Sequence, residues 1–142
     1  MNFFRRLFMG SGQFPEAMRT QLGAEGVVVM EENLPGSITW RHYRAPGRRY
    51  GYRRLGTRGS VALTSERLVV WGAGHPQIDV PLRHPLIRAI EASVDQPGRL
   101  LLAFDAHAFH DDTSGQIEVR LKTERADHLV ELVNQAASAL PA

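Results

Sequence analysis

The sequence predicts a mainly β protein: a curved antiparallel sheet or partly open barrel of about seven strands, with a short N-terminal helix and a closing C-terminal α-helix. Three observations lead to this fold class. Apolar and polar residues alternate with a period of two in about seven short segments. Clusters of Gly, Pro and Asp separate these segments, and from residue 123 the apolar period becomes that of a helix.

The length and composition indicate one globular domain, residues 13–142, preceded by an N-terminal arm, residues 1–12. A chain of 142 residues lies in the commonest size range of domains, roughly 100–150 residues. No apolar run approaches the ~18 residues that a transmembrane helix needs. Because the chain has no cysteine, it has no disulfide framework, thiolate metal site or thiol nucleophile. We therefore expect a cytoplasmic protein.

The N-terminal arm is basic and apolar, but it lacks the continuous apolar stretch and small-residue cleavage site of a signal peptide. On a helix, its apolar residues share one face and two arginines flank that face. These residues are Phe3, Phe4, Arg5, Arg6, Leu7 and Phe8. Such an arm can dock on its own domain, on a second copy, or on a lipid surface, which would place the protein at the membrane periphery. A terminal tail without a partner is the other interpretation.

The first predicted element is a short helix from Pro15 to Leu22, with Pro15 in the first turn and Gly23 as the stop. After it, side chains alternate between two faces, as they do in β-strands. The segments with this pattern are Val27 to Met30, Ile38 to Tyr43, Ser60 to Thr64, Leu68 to Val70, Ile78 to Leu82, Leu100 to Phe104 and Ile117 to Leu121.

Turn residues lie between these segments in "LPGS", "APGRR", "GAGHP", "DQPG" and "DDTSG". The stretch from Thr64 to Arg67 is a further corner, because Thr and Ser side chains bond neighbouring backbone groups at tight turns. We expect Arg67 to lie over the sheet or to pair with a carboxylate, and Leu68 to point inward.

From Thr123 the apolar residues recur at helical spacing, which predicts a closing helix from about Glu124 to Leu140. Thr123 is the predicted N-cap, and Glu124 and Asp127 put negative charge where the helix dipole favours it. The core is expected to comprise Leu68, Val70, Ile78, Val80, Leu100, Leu102, Ile117, Val119, Leu129, Val130 and Val133.

Four stretches together carry a family resemblance: "GSVALTSERLVVW", "QIDVPLRHPLIRAIE", "LLLAFD" and "QIEVRLKTERADHLVELVNQA". With Thr64, Arg67 and Leu68 at a strand end and Ile78 to Leu82 leading into another strand, the chain resembles the pleckstrin-homology-like (PH-like) superfold of GRAM and bacterial PH-like domains. The resemblance implies a non-enzymatic binding module, since such domains often bind phosphoinositides through basic residues between early strands. Residues 44–58 have no counterpart in it, and the lysine-rich first hairpin of the lipid-binding members is absent.

Basic residues concentrate in the first half of the chain. Residues 1–60 hold ten arginines against four acids, residues 61–142 hold seven basic residues against eleven acids, and no acid occurs from Asn33 to Ser65. Seven arginines lie in residues 41–58: Arg41, Arg44, Arg48, Arg49, Arg53, Arg54 and Arg58. Guanidinium groups suit phosphate, because each can donate two parallel hydrogen bonds and keeps its charge.

Two interpretations of the arginines remain open. In the first, they bind an anionic surface or headgroup, with an anionic lipid favoured over nucleic acid. In the second, they are solvated or pair with acids of the same or another chain, and the protein is an interaction module that can form a homo-oligomer. The tyrosines and the tryptophan among the arginines suit either base stacking or a headgroup layer.

The stretch "DAHAFHDD" is the other candidate site, because His and Asp at short spacing can ligate a divalent ion. In an extended segment, however, His107 and His110 would lie on opposite faces, so a polar turn is the favoured interpretation. The chain has no G-x-S-x-G, P-loop or H-E-x-x-H motif. We expect no metal, no cofactor and no enzyme activity.

Overall fold

A computed structural model describes residues 12–141 of the protein. Its elements follow one another as α1 (Glu16–Ala24), β1 (Val27–Ala45), β2 (Arg48–Thr64), β3 (Arg67–Gly72), β4 (His75–Pro81), a 3-10 helix (Pro85–Ala89), β5 (Glu91–Gln96), β6 (Arg99–Asp105), α2 (Ala106–Phe109), β7 (Ser114–Lys122) and α3 (Ala126–Ser138). The predicted class, a mainly β fold with a short N-terminal helix and a C-terminal helix, is confirmed.

The seven strands form one curved, unclosed antiparallel sheet in the order β4-β3-β2-β1-β7-β6-β5. Strands β1 to β4 form one meander and β5 to β7 another, and the pairing of β1 with β7 joins them. Helix α3 packs on β5, β6 and the 3-10 helix. The closing helix therefore covers the end of the sheet that the second meander forms.

The predicted strand boundaries were wrong in several places, and β2 begins at Arg48, not at Ser60. Residues 27–30 and 38–43 belong to one long strand, β1, so "LPGS" lies inside a strand and is not a turn. An irregularity between Glu31 and Leu34, with Asn33 at φ 58°, takes up one extra residue of β1 just before "LPGS". Strand β5 was missed, because "EASVDQ" contains only two apolar residues, Ala92 and Val94, and both are only partly buried.

Strand β2 contains residues 48–58, the region without a counterpart in the family resemblance. These residues pair with β1 on one side, from Arg48 opposite Ala45 to Arg58 opposite Pro35. Strand β3 pairs with β2 only from Gly59 to Leu63. Among the described strands, residues 48–58 thus pair on one side alone, and the β1–β2 hairpin extends past β3.

The inner face of the sheet carries the main core, and the predicted core residues lie in it. All of them are buried except Val130, which is partly buried. Helix α3 contributes Ala126, Leu129 and Val133 as its buried stripe.

Thr123 is not the N-cap of the closing helix, which begins at Ala126 with Arg125 in the cap position. The backbone N–H of Thr123 donates to the Gly98 carbonyl at 2.8 Å, which holds Thr123 against the β5–β6 turn. Its hydroxyl accepts a hydrogen bond from the Arg125 backbone N–H at 3.1 Å. The helix can begin only after the chain leaves this contact.

A second apolar cluster on the outer face was not predicted. Phe14, just before α1, and Leu22, within α1, pack on Ala62 of β2 and Val69 of β3. The signal was present in "SVALT" and "LVVW", which are apolar at odd and even positions alike, as strands covered on both faces are. Both faces of β2 and β3 are therefore buried where these strands pair.

The corner at Thr64 confirms the prediction for Arg67 and Leu68. The Thr64 hydroxyl accepts hydrogen bonds from the backbone N–H groups of Glu66 and Arg67, each at 3.1 Å. The Arg67 guanidinium pairs with Glu25 at 2.9 Å and Asp79 at 3.0 Å, and Leu68 is fully buried. Arg67 thus ties the end of α1 to β3 and β4.

Replacing Val133 by Asp should destabilise the fold by about 3 kcal/mol or more, because it buries a carboxylate without a partner between α3 and the sheet. Asn134→Asp introduces the same side chain at an exposed neighbouring position and should change stability little. Urea unfolding followed by circular dichroism measures both. A Val133→Asp variant that unfolds like the parent would contradict the docking of α3.

Candidate functional site: the arginine-rich hairpin

The arginine-rich hairpin comprises residues 41–58, the end of β1, the turn and the first half of β2. Pro46 and Gly47 form the turn, between the paired residues Ala45 and Arg48. Pro46 has the φ that the first central position of a type II turn needs, and Gly47 has the positive φ, 74°, of the second. The sequence "APGRR" therefore encodes the tip locally, as predicted.

The register brings like charges together at the tip. Arg44 lies directly opposite Arg49, and Arg48 is the next residue of β2. All three, hereafter the tip arginines, are exposed. No ion pair joins any of them to an acid of residues 12–141, and residues 1–11 contain no acid. Like charges directly opposite in a sheet destabilise it, so the tip holds an uncompensated positive charge.

The tip arginines line an open depression of about 330 Å³, together with Ala45 and Gly47. A second depression of about 170 Å³ lies beside it, lined by His42, Tyr43, Arg44, Arg49, Tyr50 and Gly51. Arg44 and Arg49 border both. Guanidinium groups that line one open depression can donate several hydrogen bonds to one phosphate or carboxylate.

The other four arginines of the hairpin have different surroundings. Arg41 pairs with Glu118 at 3.3 Å and lies 5.1 Å from the centre of the Tyr52 ring. Arg58 donates to the side chain and the carbonyl oxygen of Asn33, at 2.8 and 2.7 Å. Arg58 thereby stabilises the left-handed backbone of Asn33 in the β1 irregularity.

Arg53 is held by aromatic rings. It donates to the Tyr50 hydroxyl at 2.7 Å and lies 5.0 Å from the Tyr50 ring centre and 5.8 Å from that of Trp40. Arg54 is exposed and lies opposite Thr39. The seven arginines that the sequence groups together thus separate into three at the tip, three with defined partners, and Arg54 beside the sheet edge.

The aromatic residues pack on one another, which sequence reasoning missed. Trp40, Tyr43 and Tyr50 form a cluster with ring centres 5.8 to 6.4 Å apart. Trp40 and Tyr43 are three residues apart and share a face because His42, at φ 50°, interrupts the pairing of β1 with β7. Gly115 lies against this irregularity, where a Cβ would clash with the carbonyl oxygens of Arg41 and His42.

The charge of Arg48 affects the pKa of two titratable groups near the tip. Burial raises the pKa of Tyr43, and the Arg48 charge acts in the opposite direction. Burial also lowers the pKa of His75, and electrostatic interactions with His110 and Arg48 contribute to that decrease. The β3–β4 turn and the segment after α2 therefore lie close to the tip, and they add no acid that pairs with the tip arginines in the described part of the chain.

The segment "DAHAFHDD" forms the short helix α2 and a turn, where the favoured interpretation was a polar turn throughout. The Asp105 side chain caps α2 by accepting from the His107 backbone N–H at 2.8 Å. In residues 12–141 no group of three His, Asp or Glu side chains is arranged to hold a metal ion. The predictions of no metal and no catalysis stay predictions.

An ionic ladder crosses the outer face of the sheet beside the hairpin. Arg41 pairs with Glu118, Glu118 with Arg120 at 3.2 Å, and Arg120 with Asp95 at 2.9 Å. Arg99 completes the ladder by donating to Asp95 at 2.7 Å. Hydrogen bonds from Arg99, followed by those from Arg120, lower the pKa of Asp95 below its ordinary value of 3.8.

The predicted N-terminal arm, with Phe3, Phe4, Arg5, Arg6, Leu7 and Phe8, lies outside the described residues except for Gly12. The Gly12 carbonyl accepts a hydrogen bond from the Ser60 hydroxyl at 2.6 Å. A Cβ at Gly12 would clash with the backbone of Arg58. The described chain thus begins beside the base of the arginine-rich hairpin.

Comparison with known proteins assigns no family: the chain matches no protein-family model, and a search of curated proteins finds no significant match. In the part of the chain that the structure describes, every helix is too short or too polar to cross a membrane. The geometry of the hairpin is therefore the basis for proposing a function.

Replacing Asp95 by Asn should lower stability near pH 7 by about 1–2 kcal/mol, because two arginines lose a charged acceptor. The lowered pKa of Asp95 means that its contribution is present above pH 3.8 and is lost as the pH falls through the folded-state pKa. Unfolding measured from neutral to acid pH should therefore show the difference between variant and parent shrinking below that pH. Asp111→Asn, at an exposed position, is the control. A difference that does not change with pH would contradict this assignment.

Proposed function

We propose that the protein is a non-enzymatic binding module of PH-like fold that recognises an anionic surface or headgroup through the tip arginines. The fold supports this proposal by its architecture: a four-strand and a three-strand antiparallel meander with a helix after the last strand. The helix after the last strand and the corner at Thr64 also support the proposal. Because one fold can serve many functions, the function must be inferred from the site.

One observation carries the proposal. Arg44 and Arg49 lie directly opposite each other with Arg48 alongside, and no acid of residues 12–141 pairs with them. This arrangement repels itself in the free protein, and an anion bound between the guanidinium groups removes the repulsion. Elsewhere on the sheet, Arg41, Arg99 and Arg120 each pair with an acid. The tip differs from these three arginines because none of its guanidinium groups pairs with an acid of the described residues.

The shape and surroundings of the tip favour a surface ligand. The depression is open, which suits a headgroup presented by a membrane better than a small molecule enclosed in a cavity. Trp40, Tyr43 and Tyr50 stack on one another, so their rings are engaged within the hairpin. Because base stacking requires free aromatic faces, nucleic acid is the less favoured ligand.

The alternative function is an interaction or self-association module without an anion ligand. The observation that favours it is the charge asymmetry, since Asp111, Asp112 and Glu124 are exposed acids that a second copy offers to the tip arginines. Molar mass in solution separates the two functions. Self-association through charge should decrease as salt rises, whereas a headgroup-binding monomer keeps its mass.

Replacing Arg44, Arg48 and Arg49 together by Gln should lower binding to phosphatidylserine-containing vesicles by about tenfold or more, because each residue loses charge-assisted hydrogen bonds to phosphate. The melting temperature should stay the same or rise, because like charges are removed. Vesicle co-sedimentation and thermal melts measure the two effects. The control replaces Arg83, Lys122 and Arg125, three exposed basic residues elsewhere, by Gln and removes the same charge.

Binding of the parent should also weaken steeply with salt. A polynucleotide measured beside the vesicles tests the less favoured ligand. If the tip and control variants lose vesicle binding equally, net charge alone accounts for the binding. If the parent binds neither vesicles nor polynucleotide at ~50 mM salt, where phosphate contacts are strong, the anion proposal fails and the interaction module replaces it.

A further inference from the structure

In the part of the chain that the structure describes, the first half of β2 is a free sheet edge. Residues 48–58 pair with β1 on one side, and among the described strands none pairs with the other side, because β3 begins its pairing at Gly59. The outward N–H and C=O groups of an unpaired edge can bond another extended chain. This edge is longer than an ordinary strand, which has about five or six residues.

The outer strands of the sheet are protected, whereas this edge has no comparable protection. Strand β4 contains Pro76 and Pro81, which cannot donate to an added strand. Strand β5 is six residues long, has an irregular pairing between Val94 and Gln96, and lies under α3. Residues 48–58 contain no proline and form a continuous strand. Their only common device against edge pairing is positive charge, which repels some partners and attracts others.

Two glycines in this edge are unexplained by the fold. At Gly51 and Gly56 a Cβ would meet nothing within 4 Å, and neither residue has the left-handed φ that favours glycine. By contrast, a Cβ at Gly36 or Gly59 would clash with the backbone of a neighbouring strand. Glycine weakens a strand and often marks the close approach of another backbone. The space beside the strand is therefore open at both positions.

Charge selects the kind of chain that fits this edge. Arg54 ends a cross-strand row that continues through Thr39 of β1 and Glu118 of β7. An added strand would place its own residue directly opposite Arg54, and a carboxylate there would form the favourable cross-strand pair. Arg53 and Arg58 extend the positive charge along the edge. A second copy pairing through the same edge would instead set arginines near arginines.

We propose that the free edge of β2, residues 48–58, binds an extended acidic segment of another protein by strand addition. Main-chain hydrogen bonds supply affinity, and Arg54 selects a carboxylate at the position opposite it. The site is separate from the depression at the tip, because it uses the backbone of β2 and Arg54. The two sites share one hairpin, so an acidic partner and an anionic surface can be bound by the same element.

The test uses the full chain and a synthetic peptide of about ten residues, the upper end of the usual strand length, in which Glu and Thr alternate. A control peptide has the same sequence with every backbone nitrogen methylated, which keeps the charge and removes the N–H donors. Fluorescence anisotropy gives the affinities, and amide hydrogen exchange locates the contact. The peptide should bind, slow exchange at alternate residues of 48–58, and lose at least about tenfold in affinity when methylated.

Two variants separate this site from the tip. Arg54→Gln should weaken peptide binding several-fold, whereas Arg83→Gln, at an exposed position elsewhere, should not. The variant with Gln at Arg44, Arg48 and Arg49 should lose vesicle binding yet keep the exchange protection that the peptide gives to residues 48–58. The proposed vesicle binding can thus be refuted while strand addition is confirmed, and strand addition can be refuted while vesicle binding is confirmed.

Three results would overturn strand addition. The methylated peptide binding as well as its parent would show that charge alone acts. Protection at β4 or β5, or at no strand, would place the contact elsewhere. Protection of residues 48–58 without peptide, increasing with protein concentration, would show that a second copy occupies the edge.

Discussion

Strand β1 pairs with β2 along one side and with β7 along the other, and these two pairings hold the sheet together. Through β7, the first strand joins the meander of β5 to β7 to that of β1 to β4. The apolar residues of both meanders then face one core, which α3 covers. Since β7 and α3 come last in the chain, the core is complete only when the two ends of the described sequence have met, which makes the fold dependent on long-range contacts.

The lengths of the pairings decide where the protein presents its charge. The pairing of β3 with β2 ends at Gly59. Beyond this residue β2 pairs with β1 and β1 pairs with β7, so the hairpin continues without β3. The aromatic cluster of Trp40, Tyr43 and Tyr50 and the ionic ladder from Arg41 stabilise this extension. The extension can therefore tolerate repulsion at its tip. A stable hairpin with uncompensated arginines is an arrangement suited to binding.

Tip and edge use different chemistry on the same hairpin. The tip offers guanidinium donors on a concave surface, which suits phosphate. The edge offers backbone donors and acceptors in a row, which suits an extended chain. Arg53 and Arg58 serve neither site directly, because aromatic rings and Asn33 hold them. The number of arginines in the sequence thus overstates the charge that is free to bind a ligand.

The sequence by itself determined the features that depend on neighbouring residues: the turn at Pro46 and Gly47, the corner from Thr64 to Arg67, the period of the strands and the stripe of the closing helix. Their causes are local backbone preference and side-chain periodicity. Only the tertiary structure decided that β1 is one strand through "LPGS", that "EASVDQ" is a strand, and which arginines have partners. Those outcomes depend on pairing between residues far apart in the chain. The sequence shows neither that Glu118 meets Arg41 nor that, among the described strands, residues 48–58 of β2 pair on one side alone, because register is set by the whole sheet.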